Sequence, residues 1–173
     1  MSGAGANVDV FLQPGDLYFG DADTRIRTIL GSCVAITMWH PQRRIGGMSH
    51  CLLPGGGRNA GPGEWDGRYV DEAIAWLFHE AQARGTRPSE YQVKIFGGGD
   101  MFATSSAPGQ SSIGQKNTIQ ALYVLGKAGL TVLTRDLGGS VSRSLIFEIA
   151  SGDVWVRRGL ADDSQPLLLG ATA

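Results

Sequence analysis

Neither sign of charge dominates this sequence: 15 lysines and arginines offset 16 aspartates and glutamates, and the formal net charge is −1. A chain so balanced lacks the broad electrostatic pull that nucleic acids or anionic membranes call for. Basic residues cluster only at Arg43-Arg44 and Arg157-Arg158. The tryptophans and phenylalanines are not interleaved with them, so no base-stacking platform is visible. No apolar run approaches the roughly 20 residues of a membrane-spanning helix. The opening "MSGAGANVDV" has no cationic segment leading into an apolar one. The reading is therefore a cytoplasmic protein, without nucleic acid and without membrane insertion. Cysteine is scarce too, with two residues, and in a reducing compartment both are expected as thiols. No CxxC or HxxxH spacing supports a zinc site.

Glycine is abundant, at 26 residues, but it follows no repeat. It gathers in "PGGGRNAGPGEWDG", "FGGGDMF" and "DLGGS", which read as loops where the backbone turns tightly or is closely approached. The triple glycine lacks GxxxxGK[ST], so it is no phosphate loop. Between the loops, "VDVF", "DLYFG", "TRIRTIL", "CVAITMW", "RIGGMSHCLLP", "YQVKIFGG" and "LTVLTRDLGG" read as strands. "RSLIFEIASGDVWVRRG" reads as a hairpin turning at Gly152-Asp153. Val70, Ala73, Ile74, Leu77, Phe78 and Ala81 line one face of a helix that Gly85 ends. "KNTIQALYVLGKAG" is a second helix. Two helices are too few for a doubly wound parallel sheet. The expectation is one α/β domain over 1–173, with a mixed or largely antiparallel sheet, two main helices and a weakly ordered tail from Ala161.

The chemistry-bearing residues concentrate in "LGSCVAITMWHPQRRIGGMSHCLLPG". If the hairpin loop is His40 to Arg43, Trp39 faces Arg44 and Cys33 faces His50. Directly opposed residues have Cβ atoms about 4.5–5.5 Å apart. Cys51 then falls on the other face with Val34, Ile36, Ile45 and Leu53, as a buried thiol. An imidazole beside a thiol can take its proton, and the thiolate can attack a carbonyl carbon. The backbone N–H of Cys33 is a candidate for holding the oxyanion. Spacing alone leaves two alternatives open: a nucleophile–base pair, or a buried cysteine and a satisfied core histidine. His40, read as an exposed loop residue, and His79, on the first helix, are read as non-catalytic.

Four segments in order, "LGSCVAI…GGMSHCLLP", "KIFGGGDMF", "SIGQKN" and "DLGGSVSRSLIFEIASG", resemble the CheD family of bacterial chemotaxis proteins. The resemblance runs from about Val8 to Arg158. It implies an α/β fold similar to the catalytic domain of deamidating toxins of the cytotoxic necrotizing factor type. It also implies hydrolysis of glutamine side-chain amides to glutamate on methyl-accepting chemotaxis receptors, with no metal or organic cofactor. The family's catalytic Cys, His and Thr would be Cys33 as nucleophile, His50 as base and then acid, and Thr28. The family pattern has its threonine six positions before the cysteine, where this chain has Arg27; Thr28 is the nearest. Regular alternation would turn Thr28 away from Cys33, and a bulge near Gly31 would restore it. Ser32 reads either as a hydrogen-bonding group near the thiolate or as a turn residue, Asn117 either as ordering a loop near the cleft or as a helix-terminus residue, and Asp136, Gly138 and Gly139 as a turn. Implied partners are the helices of a receptor's cytoplasmic region and, as in other family members, a CheC-type phosphatase. The competing functions are a binding module with little activity and a thiol redox or metal protein built on Cys33 and Cys51.

Overall fold

The strands assemble into two sheets, not one. The computed structural model describes residues 7–55, 63–101, 109–159 and 167–171. In chain order the elements are β1 (Val8–Phe11), β2 (Leu17–Gly20), β3 (Thr24–Leu30), β4 (Val34–His40) and β5 (Ile45–Ser49). They continue with α1 (Val70–Ala83), a 3₁₀ turn at Pro88–Glu90, β6 (Gln92–Gly97) and α2 (Ile113–Lys127). The last are β7 (Val132–Leu137), β8 (Arg143–Glu148), β9 (Val154–Arg158) and β10 (Leu167–Ala171). The first sheet has the order β1-β3-β8-β9-β10 and the second β2-β5-β4-β6-β7. Each contains one parallel pair at an edge, β1 with β3 and β6 with β7, and the remaining pairs are antiparallel. The α/β, mixed-sheet expectation holds, with the strands divided between two layers.

The burial pattern explains the layering. β4 is buried along almost its whole length, as a strand covered on both faces must be. Val34, Ile36 and Met38 pack with Ala73, Ile74, Leu77 and Ala81 of α1 and with Ala121 and Leu125 of α2. Ala35 packs on the other side with Ile26, Leu30, Leu145 and Phe147 of the first sheet. The order of layers is therefore helices, second sheet, first sheet. Gly46 and Gly47 of β5 make room for this stacking. A Cβ on Gly47 would meet the Phe19 ring at 2.7 Å and Leu77 at 2.9 Å, and one on Gly46 would meet the Phe147 ring at 3.2 Å.

α1 ends as its sequence suggests. Gly85 takes φ +76°, and Thr86 and Gly85 donate back to the carbonyls of Ala81 and Gln82, closing the last turn. α2 begins three residues before the apolar pattern starts. Ser112 accepts from the Gln115 N–H at 3.2 Å, and Gln115 Oε1 accepts from the Ser112 N–H at 2.9 Å. That reciprocal cap was readable as Ser-x-x-Gln. The β8–β9 hairpin turns where expected, with Gly152 at φ +79°.

Two expectations at the first hairpin are corrected, its register and the exposure of His40. β4 pairs with β5 through Thr37–Met48, Met38–Gly47, Trp39–Gly46 and His40–Ile45, a register two residues away from the one proposed, with the loop at 41–44. Arg44 absorbs the turn at φ +50°. His40 thereby joins the end of β4 and is buried. Its Nδ1 accepts from the Arg43 N–H at 3.1 Å, and its ring meets the Tyr91 ring edge-on. In the tail from Ala161, Leu167–Ala171 pairs with β9 as an edge strand, and 161–166 and 172–173 lie outside the described residues.

One cation is buried between the layers. Lys94 of β6 is 1% exposed, and its Nζ donates to the Gly152 carbonyl at 2.8 Å. Burial lowers its pKa from 10.5 to about 8, against the attraction of Asp153. Between those values the unfolded chain binds a proton that the folded chain has released, so stability rises with pH in that window. Denaturant unfolding of wild type and Lys94→Met should therefore show the wild type gaining up to about 3 kcal/mol relative to the variant from pH 8 to 10.5. A constant difference across that range would contradict the assignment.

Candidate functional site

β3 belongs to the first sheet and β4 to the second, so the chain must cross between layers at Gly31-Ser32-Cys33. Both strands turn one face toward the space between the sheets. On β3 that face carries Thr24, Ile26, Thr28 and Leu30, all buried. Arg27 points outward, where its Nε donates to Asp9 Oδ1 at 2.8 Å and its guanidinium lies over the Phe11 ring. Thr28 thus faces inward without any bulge, because alternation does not carry across a change of sheet.

A bridge between Val34 and Cys51 extends the β4–β5 register, setting His50 across from Ala35 and Cys33 across from Leu52. Cys33 and His50 are consequently diagonal neighbours on one face, not directly opposed. Diagonal pairs have backbones about 7–8 Å apart, which long side chains still bridge. Cys33 is half-buried and packs against the inter-sheet core. Cys51 is fully buried on the helix side with Val34, Ile36 and Ile45, as expected, although Leu53 is exposed. Burial pushes the Cys51 thiol up to about 12.

His50 is held from two directions. Its backbone is clamped by the Gln13–Asp16 turn: the His50 N–H donates to the Asp16 carbonyl at 3.2 Å, and the Gly15 N–H donates to the His50 carbonyl at 2.8 Å. Its ring meets Thr28, with Nδ1 and Oγ1 2.7 Å apart, and Thr28 Oγ1 donates to the Leu12 carbonyl at 2.8 Å. A hydroxyl has one proton to give. Since the carbonyl can only accept, Nδ1 must donate to Oγ1, which leaves Nε2 with a free lone pair. The imidazole is thereby fixed as a base at Nε2. Burial lowers its pKa from 6.5 to about 4, with Asp16 and the Leu12 carbonyl pulling the other way. Burial also raises the Cys33 thiol. Both shifts favour the uncharged forms of the two groups.

The glycine-rich segments brace the crossing. Gly97 at φ +106° leaves no room for a side chain, because a Cβ there would run into the Cys33 carbonyl. The N–H of Gly98 donates to that carbonyl at 2.9 Å, and the N–H of Gly99 to Gly31 at 3.0 Å. Arg143, 3% exposed, ties the next layer. Its guanidinium donates to Asp136 Oδ1 at 2.9 Å and to the Gly138 carbonyl at 2.8 Å, and Arg158 donates to the same carboxylate at 2.7 Å. The Gly138 N–H returns to the Gly97 carbonyl at 2.9 Å. Asp136, Gly138 and Gly139, read as a turn, are therefore part of the support for Cys33. Sequence reasoning did not foresee Arg143, whose only signal is an arginine in a strand of otherwise alternating apolar residues. The Ser32 carbonyl and not its hydroxyl is engaged, by Asn117. His40 and His79 lie elsewhere. His40 is at the far end of β4, and His79 stacks on Trp65 at 4.6 Å between ring centres.

Comparison with known proteins identifies the family. The family model described as CheD chemotactic sensory transduction matches residues 52–158. A protein of Pseudomonas syringae pv. syringae named probable chemoreceptor glutamine deamidase CheD is 49% identical over 150 residues, covering 86% of this chain and 84% of the relative. Probable chemoreceptor glutamine deamidase CheD 2 of Albidiferax ferrireducens is 44% identical over 148 residues, 86% of each chain. Probable chemoreceptor glutamine deamidase CheD 1 of Chromobacterium violaceum is 43% identical over 150 residues, 86% of this chain and 77% of the relative.

Because His50 is neutral when folded, it costs stability in acid. The unfolded chain takes up its proton near pH 6.5 and the folded chain only near 4, so stability is full above about 6.5 and falls as pH drops toward 4. Urea unfolding from pH 7 to 4 should show wild type losing up to about 3 kcal/mol more than His50→Gln, which cannot titrate. Parallel losses in the two proteins would contradict a buried neutral imidazole.

Proposed function

The chain belongs to the CheD family, and on that premise we propose that it is a protein-glutamine deamidase acting on chemoreceptors, with Cys33 as nucleophile, His50 as base and acid, and Thr28 as the residue that holds His50. The observation that carries the assignment of roles is the relay from the Leu12 carbonyl through Thr28 to His50 Nδ1, which presents Nε2 as the base on the face that Cys33 shares.

The reaction uses a neutral pair. As Sγ approaches the carboxamide carbon of a receptor glutamine, its proton passes to His50 Nε2 and the carbon–sulfur bond forms. Charge develops on the amide oxygen, and the Cys33 N–H is placed to receive it. The imidazolium returns its proton to the amide nitrogen, the carbon–nitrogen bond breaks, and ammonia leaves a thioester. Water then attacks the thioester carbon while Nε2 takes its proton. The carbon–sulfur bond breaks, and the sulfur recovers the proton. The sum is glutamine plus water giving glutamate plus ammonia. The energetic demand falls on creating the ion pair in a partly desolvated site. Thr28 meets part of it, since a hydroxyl already donating to Leu12 is a better acceptor for the positively charged ring.

On the same reading it acts in the cytoplasm on the helices of the receptor's cytoplasmic region, with a CheC-type phosphatase as a proposed second partner. Arg27, which occupies the family's threonine position, is spent on an outward ion pair and leaves the inward role to Thr28.

The direct test is a glutamine-bearing receptor cytoplasmic fragment with wild type and Cys33→Ala. Wild type should release ammonia and convert glutamine to glutamate by mass spectrometry, while the folded variant should release none. Turnover retained by Cys33→Ala would overturn the nucleophile, and a wild type that binds receptor without turnover would overturn the activity. In the same assay Thr28→Val, which keeps the shape but loses the relay, should lower kcat by roughly 100-fold or more. Unchanged turnover in that variant would remove Thr28 from the mechanism.

A further inference from the structure

Asn117 sits in α2 with its side chain wholly buried. Its Nδ2 donates to two carbonyls, that of Ser32 at 3.2 Å and that of Leu52 at 2.9 Å. Both neighbours are acceptors, so the amino group must face them. The other end, Oδ1, is buried without a hydrogen-bond partner among the described residues. An orphaned buried acceptor costs stability, so bracing a helix against a loop does not by itself account for an asparagine here. Asn117 is not needed as a cap either, because Ser112 and Gln115 already close the start of α2.

What the amino group does is orient one peptide. The Ser32 C=O and the Cys33 N–H belong to the same planar unit, and no cis bond occurs among the described residues. In a trans peptide the two groups point in opposite directions. Drawing the carbonyl toward α2 therefore turns the Cys33 N–H away from it. That N–H donates to no group among the described residues, although the Cys33 carbonyl on its other side is gripped by Gly98. A hydrogen bond to the carbonyl also polarises the peptide and strengthens its N–H as a donor.

We propose that Asn117 is a positioning residue for the oxyanion site: it holds the Ser32 carbonyl so that the Cys33 N–H is aimed, unpaired, at the charge that develops on the substrate amide oxygen. The inference rests on the deamidase reading and adds to it a residue distant in sequence from the cysteine, histidine and threonine.

Alkylation of Cys33 by iodoacetamide separates this role from a structural one. Displacement of iodide needs the thiolate but forms no oxyanion, whereas deamidation needs both. Wild type, Asn117→Ala and Asn117→Ser are compared in receptor-fragment deamidation and in alkylation across pH. The expected result is a fall in kcat of roughly 10- to 100-fold in Asn117→Ala, with KM, the alkylation rate and its pH profile unchanged. Asn117→Ser should behave likewise, since its shorter side chain cannot reach both carbonyls, and it guards against a folding failure of the alanine variant. Equal turnover in wild type and folded variants would overturn the proposal. Deamidation and alkylation falling together, or failure of both variants to fold, would make Asn117 a brace and overturn it as well. A wild type without deamidation would instead sink the underlying reading, and the oxyanion role with it.

Discussion

Thr28 carries one hydroxyl proton, and the Leu12 carbonyl takes it. The rest of the site follows from that constraint. The His50 ring must donate through Nδ1, the lone pair must reside on Nε2, and the ring cannot turn without losing a buried hydrogen bond. The relay spans the two sheets, because Leu12 and Thr28 belong with the first sheet and His50 follows directly on β5 of the second. Inter-sheet packing is thus what sets the distance between base and positioning hydroxyl, and a shift of one layer against the other would be felt first at the imidazole.

The proposed nucleophile is governed by a different constraint. Cys33 lies where the chain leaves one sheet for the other, and such a crossing has no ladder of its own to hold it. Neighbouring backbone supplies the grip: Gly98 on the Cys33 carbonyl, Gly99 on Gly31, and Asn117 on Ser32. A Cβ on Gly97 would run into the Cys33 carbonyl and one on Gly98 into the Thr118 hydroxyl, which is why glycine stands at both. The buried Arg143–Asp136 pair stands behind them. Such a pair adds little net stability once desolvation is counted, and its effect here is to fix the Gly138 carbonyl and the loop it belongs to.

Electrostatics favours a neutral resting state. Burial raises the thiol and lowers the imidazole, which opposes their ionising one another. A thiol kept protonated is slow to oxidise or to react with stray electrophiles. On the proposed mechanism, reactivity then depends on a substrate that brings its carboxamide against Sγ and on the proposed oxyanion donor.

Much of this was legible in the residues. Helical periodicity and Gly85 located α1, the Gly152-Asp153 turn located the β8–β9 hairpin, and alternation placed Cys51 in the core apart from Cys33 and His50. These are local properties, dictated by the periods of helix and strand and by the turn chemistry of glycine. Even the shared face of Cys33 and His50 survived the wrong hairpin register, because a slip of two residues preserves the face where a slip of one would not. What the linear sequence could not decide was which sheet each strand would join. Alternation counted from Thr28 to Cys33 predicted opposite faces, yet β3 and β4 lie in different layers whose inner faces meet. Nor could it show that Asn117 and the glycine loop grip neighbouring peptides of the 31–33 crossing, with Arg143 behind them on Gly97, since contacts between residues far apart in the chain bring them together. Local pattern determined the elements and the candidate residues; the stacking of two sheets, set by where the buried surface of β4 found cover on both sides, decided that they form a site.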